Sequence, residues 1–315
     1  IIEYAPSNSK NKIQRKIINL IKRIKFTLKY KNKYDFSASF ATYSLPASFV
    51  ARTASKNCYL WGHADYLTLF DGNTEKMKEF FIERNYDKFK KIIFVSKEGK
   101  ESFVKVFPEM KEKTMVCNNL IDADKILELS KEKIPEEDLS KINKLENTQK
   151  ETTTFINVGR HQEKQKKLSR LIETATMLKK DNMNFKIIFI GDGPETEEYK
   201  KQVRNNQLEN NIIFLGKKQN PYPYFKIADC VVLTSDYEGY PVVFLESFIL
   251  EKPIITTKVS DYQEVENKYG FVTEKDTKDI YEKMKNFILN GFEIKEKFDY
   301  KKYNEEILKK IEDLF

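Results

Sequence analysis

Two carboxylates, Glu238 and Glu246, lie eight positions apart within the run Cys230 to Leu250, CVVLTSDYEGYPVVFLESFIL. Glu246 is the single charged residue from Pro241 to Leu250, on a stretch so apolar that an unpaired carboxylate would be costly there. It therefore calls for hydrogen-bond donors. Glu238 sits just ahead of the same stretch, beside Gly239, a residue that admits close backbone approach. Carboxylates accept from hydroxyls, whereas the unpaired N–H groups at a helix N-terminus favour anions. A ligand joining phosphate to hydroxyls would satisfy both. In the plainer reading Glu246 only complements the helix dipole and Glu238 is solvated.

A second set of candidates follows TTFINV. Gly159 and Arg160 come directly after it, and His161-Gln162-Glu163-Lys164-Gln165-Lys166-Lys167 precede the next apolar stretch near Leu168. A guanidinium fork from Arg160 and a point charge from one of these lysines would suit a diphosphate. In so lysine-rich a chain, solvated Lys164 and Lys167 are the plainer reading. Gly191-Asp192-Gly193-Pro194 looks like a phosphate cradle but lacks the third glycine of the dinucleotide fingerprint. Glu195, Glu197 and Glu198 crowd the helix start behind it and would repel phosphate. A tight turn against a neutral base or sugar fits better.

These loops need strands to carry them. Cys230 to Thr234 reads as a buried parallel strand and Pro241 as a helix start. Further strands are predicted at 35–41, 57–61, 91–96 and 114–118, with helices such as 74–85 and 97–107 between them. A second series follows at 153–158, 186–190, 211–215, 230–234, 253–257 and 270–273. Alternation of this kind makes α/β domains, and 315 residues suit two of them. Between the series the chain turns polar, ELSKEKIPEEDLSKINKLENTQKETTT, as a connection does, which puts the boundary near residue 150. The expected domains are 1–149 and 150–298, followed by a terminal helix at 299–315. The chain has no initiating Met, and Ile1-Ile2-Glu3-Tyr4 reads as the end of a strand, so the first domain is expected to be incomplete.

Residues 1–33 hold ten Lys or Arg and one Glu, more than the whole net charge of +8. Ile13, Ile17, Leu20, Ile21, Ile24 and Leu28 recur there at helical spacing, with Arg15, Lys16, Lys22, Arg23, Lys25 and Lys29 on the remaining surface. The expectation is a domain helix that packs its apolar stripe on a sheet and offers a cationic face to anionic lipid through residues 10–33. Nucleic acid is set aside, since aromatics are few and no binding motif is present. No apolar run approaches the ~20 residues of a bilayer span and no signal peptide is visible. Cys58, Cys117 and Cys230 have neither disulfide nor zinc spacing, which points to a reducing cytosol.

Taken together, the motifs resemble the family 4 glycosyltransferases of the GT-B fold. The signature is Gly159-Arg160 with Gln165-Lys166, Gly191-Asp192-Gly193-Pro194, Leu215-Gly216 with Asn220-Pro221-Tyr222, Ala228-Asp229, and Glu238-Gly239-Tyr240-Pro241 with Glu246. Order and spacing agree over roughly residues 150–260; Trp61-Gly62-His63, FVS before a helix, and CNNLID agree more weakly. The resemblance implies two Rossmann-like domains facing across a cleft, with the terminal helix returning to the first. It implies a nucleotide-diphosphate sugar, with UDP as the nucleotide, held by the second domain, and a transfer that retains configuration without a protein nucleophile. Arg160 and Lys166 would neutralise the diphosphate, Glu246 would bind the ribose, and Glu238 with the backbone of Gly239, Tyr240, Pro241 and Val242 would hold donor sugar and phosphate. Gly159, Gly191, Gly193, Gly216 and Tyr222 would complete the donor site.

His63 would lie on the acceptor side, with a structural imidazole as the equal alternative. Asp122-Ala123-Asp124 is read as helix capping, so no metal and no separate cofactor are expected. The acceptor implied is a cell-envelope glycan, a lipid-linked sugar or a teichoic acid, and the location is the inner face of the cell membrane. A nucleotide-sugar epimerase of the same fold and a non-catalytic sugar-nucleotide binder are the rival readings.

Overall fold

A computed structural model describes residues 4–144 and 152–314. Ile1-Ile2-Glu3 and the expected boundary near residue 150 lie outside the described residues. By its contacts the chain divides into two units, 1–119 with 306–315, and 120–305.

The first unit opens with helix α1 (Lys12–Tyr30), started by Asn11, whose side chain accepts from the N–H groups of Ile13 and Gln14. A four-stranded parallel sheet follows in the order of the chain: β1 (Ser37–Ser39), β2 (Cys58–Gly62), β3 (Lys91–Phe94) and β4 (Thr114–Val116). Between strands run α2 (Leu45–Ala54), α3 (Tyr66–Leu69), α4 (Thr74–Glu83) and α5 (Lys97–Val106). The core is strongly aromatic. Phe81, Phe94, Phe103 and Phe107 pack edge-on and tilted against one another, with ring centroids 4.7–5.8 Å apart.

The structure reverses the orientation expected of α1. Its buried residue is Phe26, in contact with the rings of Tyr4, Tyr30 and Phe49, while Asn19 accepts from Ser7 N–H. The aliphatic stripe is turned outward, with Ile13 73% and Leu28 81% exposed. The reason is geometric. At about 100° per residue Phe26 falls opposite the stripe, and the aromatic cluster with Tyr4 and Phe49 holds that side inward.

The run after β4 is not a bare connection. Asp122 caps helix α6 (Ala123–Leu129) by accepting from Lys125 N–H, as the capping reading expected. Helix α7 (Glu136–Asn143) follows. Ala123 and Ile126 pack with Ile249 in one apolar cluster. Asp138, buried, takes Lys218 Nζ at 2.6 Å and the hydroxyl of Tyr224. Polar sequence there reflects helices exposed on one side. Their apolar and paired residues attach them to the second unit, so the division falls at 119/120.

The second unit is a six-stranded parallel sheet built from β5 (Thr153–Val158), β6 (Phe185–Ile190), β7 (Ile212–Phe214), β8 (Cys230–Leu233), β9 (Ile254–Thr257) and β10 (Gly270–Thr273). Its order is β10-β9-β8-β5-β6-β7. Helices α8 (Glu163–Lys166), α9 (Leu168–Lys180), α10 (Thr196–Asn205), α11 (Tyr222–Ile227), α12 (Val242–Ile249) and α13 (Thr277–Asn290) complete it, and α14 (Tyr300–Glu312) runs across the division at 305/306. The chain winds outward from β5 through β6 and β7, then returns to the other flank of β5 with β8. That reversal is the switch point at which open parallel sheets receive ligands.

Candidate active site

The reversal at β5 and β8 sets the loop 159–167 beside the loop 234–241. Residues remote in sequence therefore meet. Lys166 Nζ lies 2.6 Å from Glu238 Oε1, Ser235 Oγ donates to the same oxygen at 2.6 Å, and Gln165 Nε2 donates to Oε2 at 3.1 Å. Glu238 is 7% exposed, so the solvated reading of it does not hold. Its burial is compatible with charge because three donors surround it.

The second loop is pinned on several sides. Thr234 Oγ1 donates to the carbonyls of Lys166 and Lys167, and Asp236 N–H donates to Gln165 O at 2.8 Å. Arg170 reaches Thr234 O and Asp236 Oδ1, both at 2.9 Å, while Lys167 Nζ approaches Glu163 at 3.5 Å and Asp236 at 3.9 Å. Lys167 is thus partly exposed, within loose ion-pair distance of both carboxylates. Ser260 Oγ holds the carbonyl of Glu238 at 2.8 Å, and Thr257 Oγ1 holds that of Ser235 at 2.6 Å. Ser235, Thr257 and Ser260 escape sequence reading because small hydroxyl residues carry no signal until the fold brings them to a carboxylate or carbonyl.

Helix α12 begins directly behind this loop. Pro241 precedes it without a capping side chain, so the positive helix end faces the loop with its first N–H groups uncapped by any side chain. Glu246, one turn inside, is half-buried and accepts from the hydroxyl of Tyr222 at 3.1 Å. Burial pushes the carboxyl of Glu246 above its ordinary value, with the Tyr222 bond acting the other way. The expected donor is found, and it comes from the first residue of α11. Gly239 is half-buried and Val242 is exposed at the helix start. Tyr240 is buried, donates to Glu264 at 2.7 Å and hydrogen-bonds Tyr303.

The loops after β5, β6 and β7 form one block. Gly159 N–H donates to Ile190 O, His161 N–H to Asp192 O and Gly191 N–H to Gly216 O, each at 3.0 Å. At Gly191, where φ is +144°, a Cβ would stand 1.8 Å from Gly159 O, and at Gly193 it would stand 2.0 Å from His161 O. Both positions therefore require glycine. Asp192 takes the hydroxyl of Thr196 at 2.6 Å and the N–H of Gly193 at 2.8 Å, bonds that hold it below the usual carboxylate range.

His161, wholly buried and not among the expected site residues, lies 2.8 Å from Thr196 Oγ1 through Nδ1. Since that hydroxyl donates to Asp192, Nδ1 carries a proton and donates to it, and burial lowers the pKa, which favours the neutral ring.

Arg160 is exposed and pairs with no carboxylate among the described residues. Gly159 lies against the Lys166 side chain, where a Cβ would meet Cε at 3.5 Å. The second unit thus brings together Gly159, Lys166 and Glu238, and separately Tyr222 and Glu246. His63 belongs to the first unit, after β2, half-buried with its ring 4.7 Å from that of Phe40. Burial lowers its pKa, and its Nε2 has no partner among the described residues.

Two parallel-sheet α/β units, the second with cations and a helix N-terminus at its switch point, define a GT-B-type protein. The chain belongs to the glycosyl transferases group 1 family, which matches residues 138–305. It is 31% identical over 166 residues to an uncharacterized glycosyltransferase of Methanocaldococcus jannaschii, covering 53% of this chain and 39% of that one. Against the poly(ribitol-phosphate) alpha-N-acetylglucosaminyltransferase of Staphylococcus aureus identity is 27%, over 48% of this chain and 33% of the relative. The chain thus aligns with well under half of either relative. In fold it is similar to Anabaena HepE in complex with UDP and glucose, with a TM-score of 0.74 at 18% identity over 98% of this chain and 84% of the other. Staphylococcus aureus TarM gives 0.70 at 19%, over 94% and 59%. No helix among the described residues is long and apolar enough to cross a membrane.

Proposed function

We propose that this chain is a glycosyltransferase that moves a hexose-type sugar, with retention, from a UDP-sugar to a cell-envelope glycan, lipid-linked or teichoic-acid acceptor. The observation that carries it is the Lys166–Glu238 pair, 2.6 Å apart at the switch point and directly before the uncapped start of α12. Negative charge grows on the departing diphosphate as the glycosidic bond breaks. In this reading Arg160, Lys166 and the N–H groups of α12 stabilise it in the transition state. Glu246 takes the ribose hydroxyls, and Glu238 with residues 239–242 takes the donor sugar and phosphate. Glu238 has no acid–base role, because its oxygens are engaged by Lys166, Ser235 and Gln165. His63 faces the acceptor. Gly191, Gly193, Gly216 and Tyr222 line the base and ribose end.

Family membership supports the class of reaction, and the names of similar proteins support the acceptor class: poly(ribitol-phosphate) in one, a diphospho-undecaprenol-linked sugar in another. The acceptor is met at the inner face of the cell membrane, which residues 10–33 reach through their cations. The test is a thermal-shift screen of nucleotide sugars followed by turnover with and without acceptor. A UDP-sugar that raises the melting temperature, and a product that needs acceptor, are expected; a free altered sugar formed without acceptor marks an epimerase instead. Because cations from the chain do the neutralising, EDTA should leave turnover unchanged.

A further inference from the structure

We infer that α1 lies in the plane of an anionic bilayer with its aliphatic stripe inserted among the acyl chains, so that attachment is by insertion as well as charge. This deepens the membrane contact proposed above and rests on it. Six aliphatic side chains, Ile13, Ile17, Leu20, Ile21, Ile24 and Leu28, are all 46–81% exposed. On a helix they occupy one arc of about 100°. The opposite side does the packing, through Phe26 on Tyr4 and Phe49. The stripe is therefore unnecessary for holding α1 to its unit.

Charge identifies the occupant. By the same helical spacing Lys16 and Arg23 border the stripe on one side and Lys25 and Lys29 on the other, while the segment 1–33 has a single acidic residue. An apolar strip edged on both sides by cations matches a layer of acyl chains beneath anionic headgroups. Beside the stripe Lys16, Arg23, Leu20 and Leu45 line a hollow of ≈ 510 Å³, where two cations and two aliphatic side chains share one wall. Leu45 is itself exposed, so the apolar surface continues from α1 onto the start of α2. A protein partner would have to be acidic at both edges and apolar between. A second copy, with the same cations, would be repelled.

The test is flotation of the full chain with vesicles of phosphatidylcholine alone and of phosphatidylcholine with one-third phosphatidylglycerol. Binding to the anionic vesicles should persist in part at 1 M salt, where the Debye length is ~3 Å. A triple variant Ile17→Ser, Leu20→Ser, Ile24→Ser should lose that residual binding by about tenfold or more. A variant with Lys16, Arg23, Lys25 and Lys29 changed to Gln should lose binding at low salt by about fivefold per charge. In Leu20→Trp, emission should move to the blue with anionic vesicles only. Melting temperatures equal to the parent show that each variant folds. Binding abolished by salt and indifferent to the triple variant overturns insertion and leaves the electrostatic contact standing. No binding to anionic vesicles removes both. Dimerisation without lipid, lost in the triple variant, assigns the stripe to a second copy and overturns the proposal.

Discussion

Lys166 and Arg160 differ in what surrounds them, and this separates their effects. Lys166 is the cation paired with a buried carboxylate, so Lys166→Ala leaves Glu238 without a counter-ion and should cost about 3 kcal/mol of stability as well as activity. Arg160 is exposed, so Arg160→Ala should leave the melting temperature where it is while removing ~2–4 kcal/mol of transition-state stabilisation. Denaturant unfolding and turnover on the two variants check this; equal stability loss in both would contradict the assignment. Glu246 makes a pH prediction. Burial raises its pKa, so its charged form opposes folding; this destabilisation is absent below the ordinary carboxyl value, grows as pH rises from there to the raised value, and is constant above it. In the role proposed for Glu246, ribose binding needs the same charged form. UDP-sugar affinity should therefore fall on acidification at a pH above the usual Glu range, and Glu246→Gln should remove the step while raising stability at neutral pH. Titration calorimetry across pH measures both.

At the scale of elements, the ten strands among the described residues stand where hydrophobic runs bounded by turn residues placed them, within two residues at every end. Parallel strands buried on both faces leave that plain a mark. In the candidate site, strand ends and charge single out Lys166, Glu238 and Glu246 in the sequence, whereas the contacts between distant loops, such as Lys166 with Glu238 and Tyr222 with Glu246, leave no mark there. His161 is an example: nothing in GRHQE says that its ring will meet Thr196. The orientation of α1 is hidden for a related reason, since periodicity finds an apolar face but does not say what covers it. Helix α14 supplies a test at this scale. Tyr59 donates to Leu314 O at 2.5 Å, and Ile307 and Leu314 are buried in the first unit. Deleting 306–314 should expose this apolar surface, worth about 25 cal/mol per Å², and quicken proteolysis of residues 4–119. Unaltered protease resistance would contradict it.

For the molecule as a whole, the division at 119/120 predicts which fragment stands alone. Residues 120–305 should unfold cooperatively and keep the UDP-sugar thermal shift, because the cluster of Ala123, Ile126 and Ile249 and the Asp138–Lys218 pair stay intact. A fragment starting at 152 loses both and should melt several degrees lower, the scale of ~2 kcal/mol in a domain of this size. Equal melting temperatures would favour the later boundary. The first unit has no such independence, because its parts are separated in the chain by the whole of the second. That fixes an order of events on the ribosome. Residues 4–119 are made first but lack Ile307 and Leu314 until the whole of the second unit has been synthesised, so the first unit is the last to complete its core. Until they arrive Tyr59 has no Leu314 carbonyl to bond, and it is the first unit that a holdase chaperone should bind on stalled nascent chains.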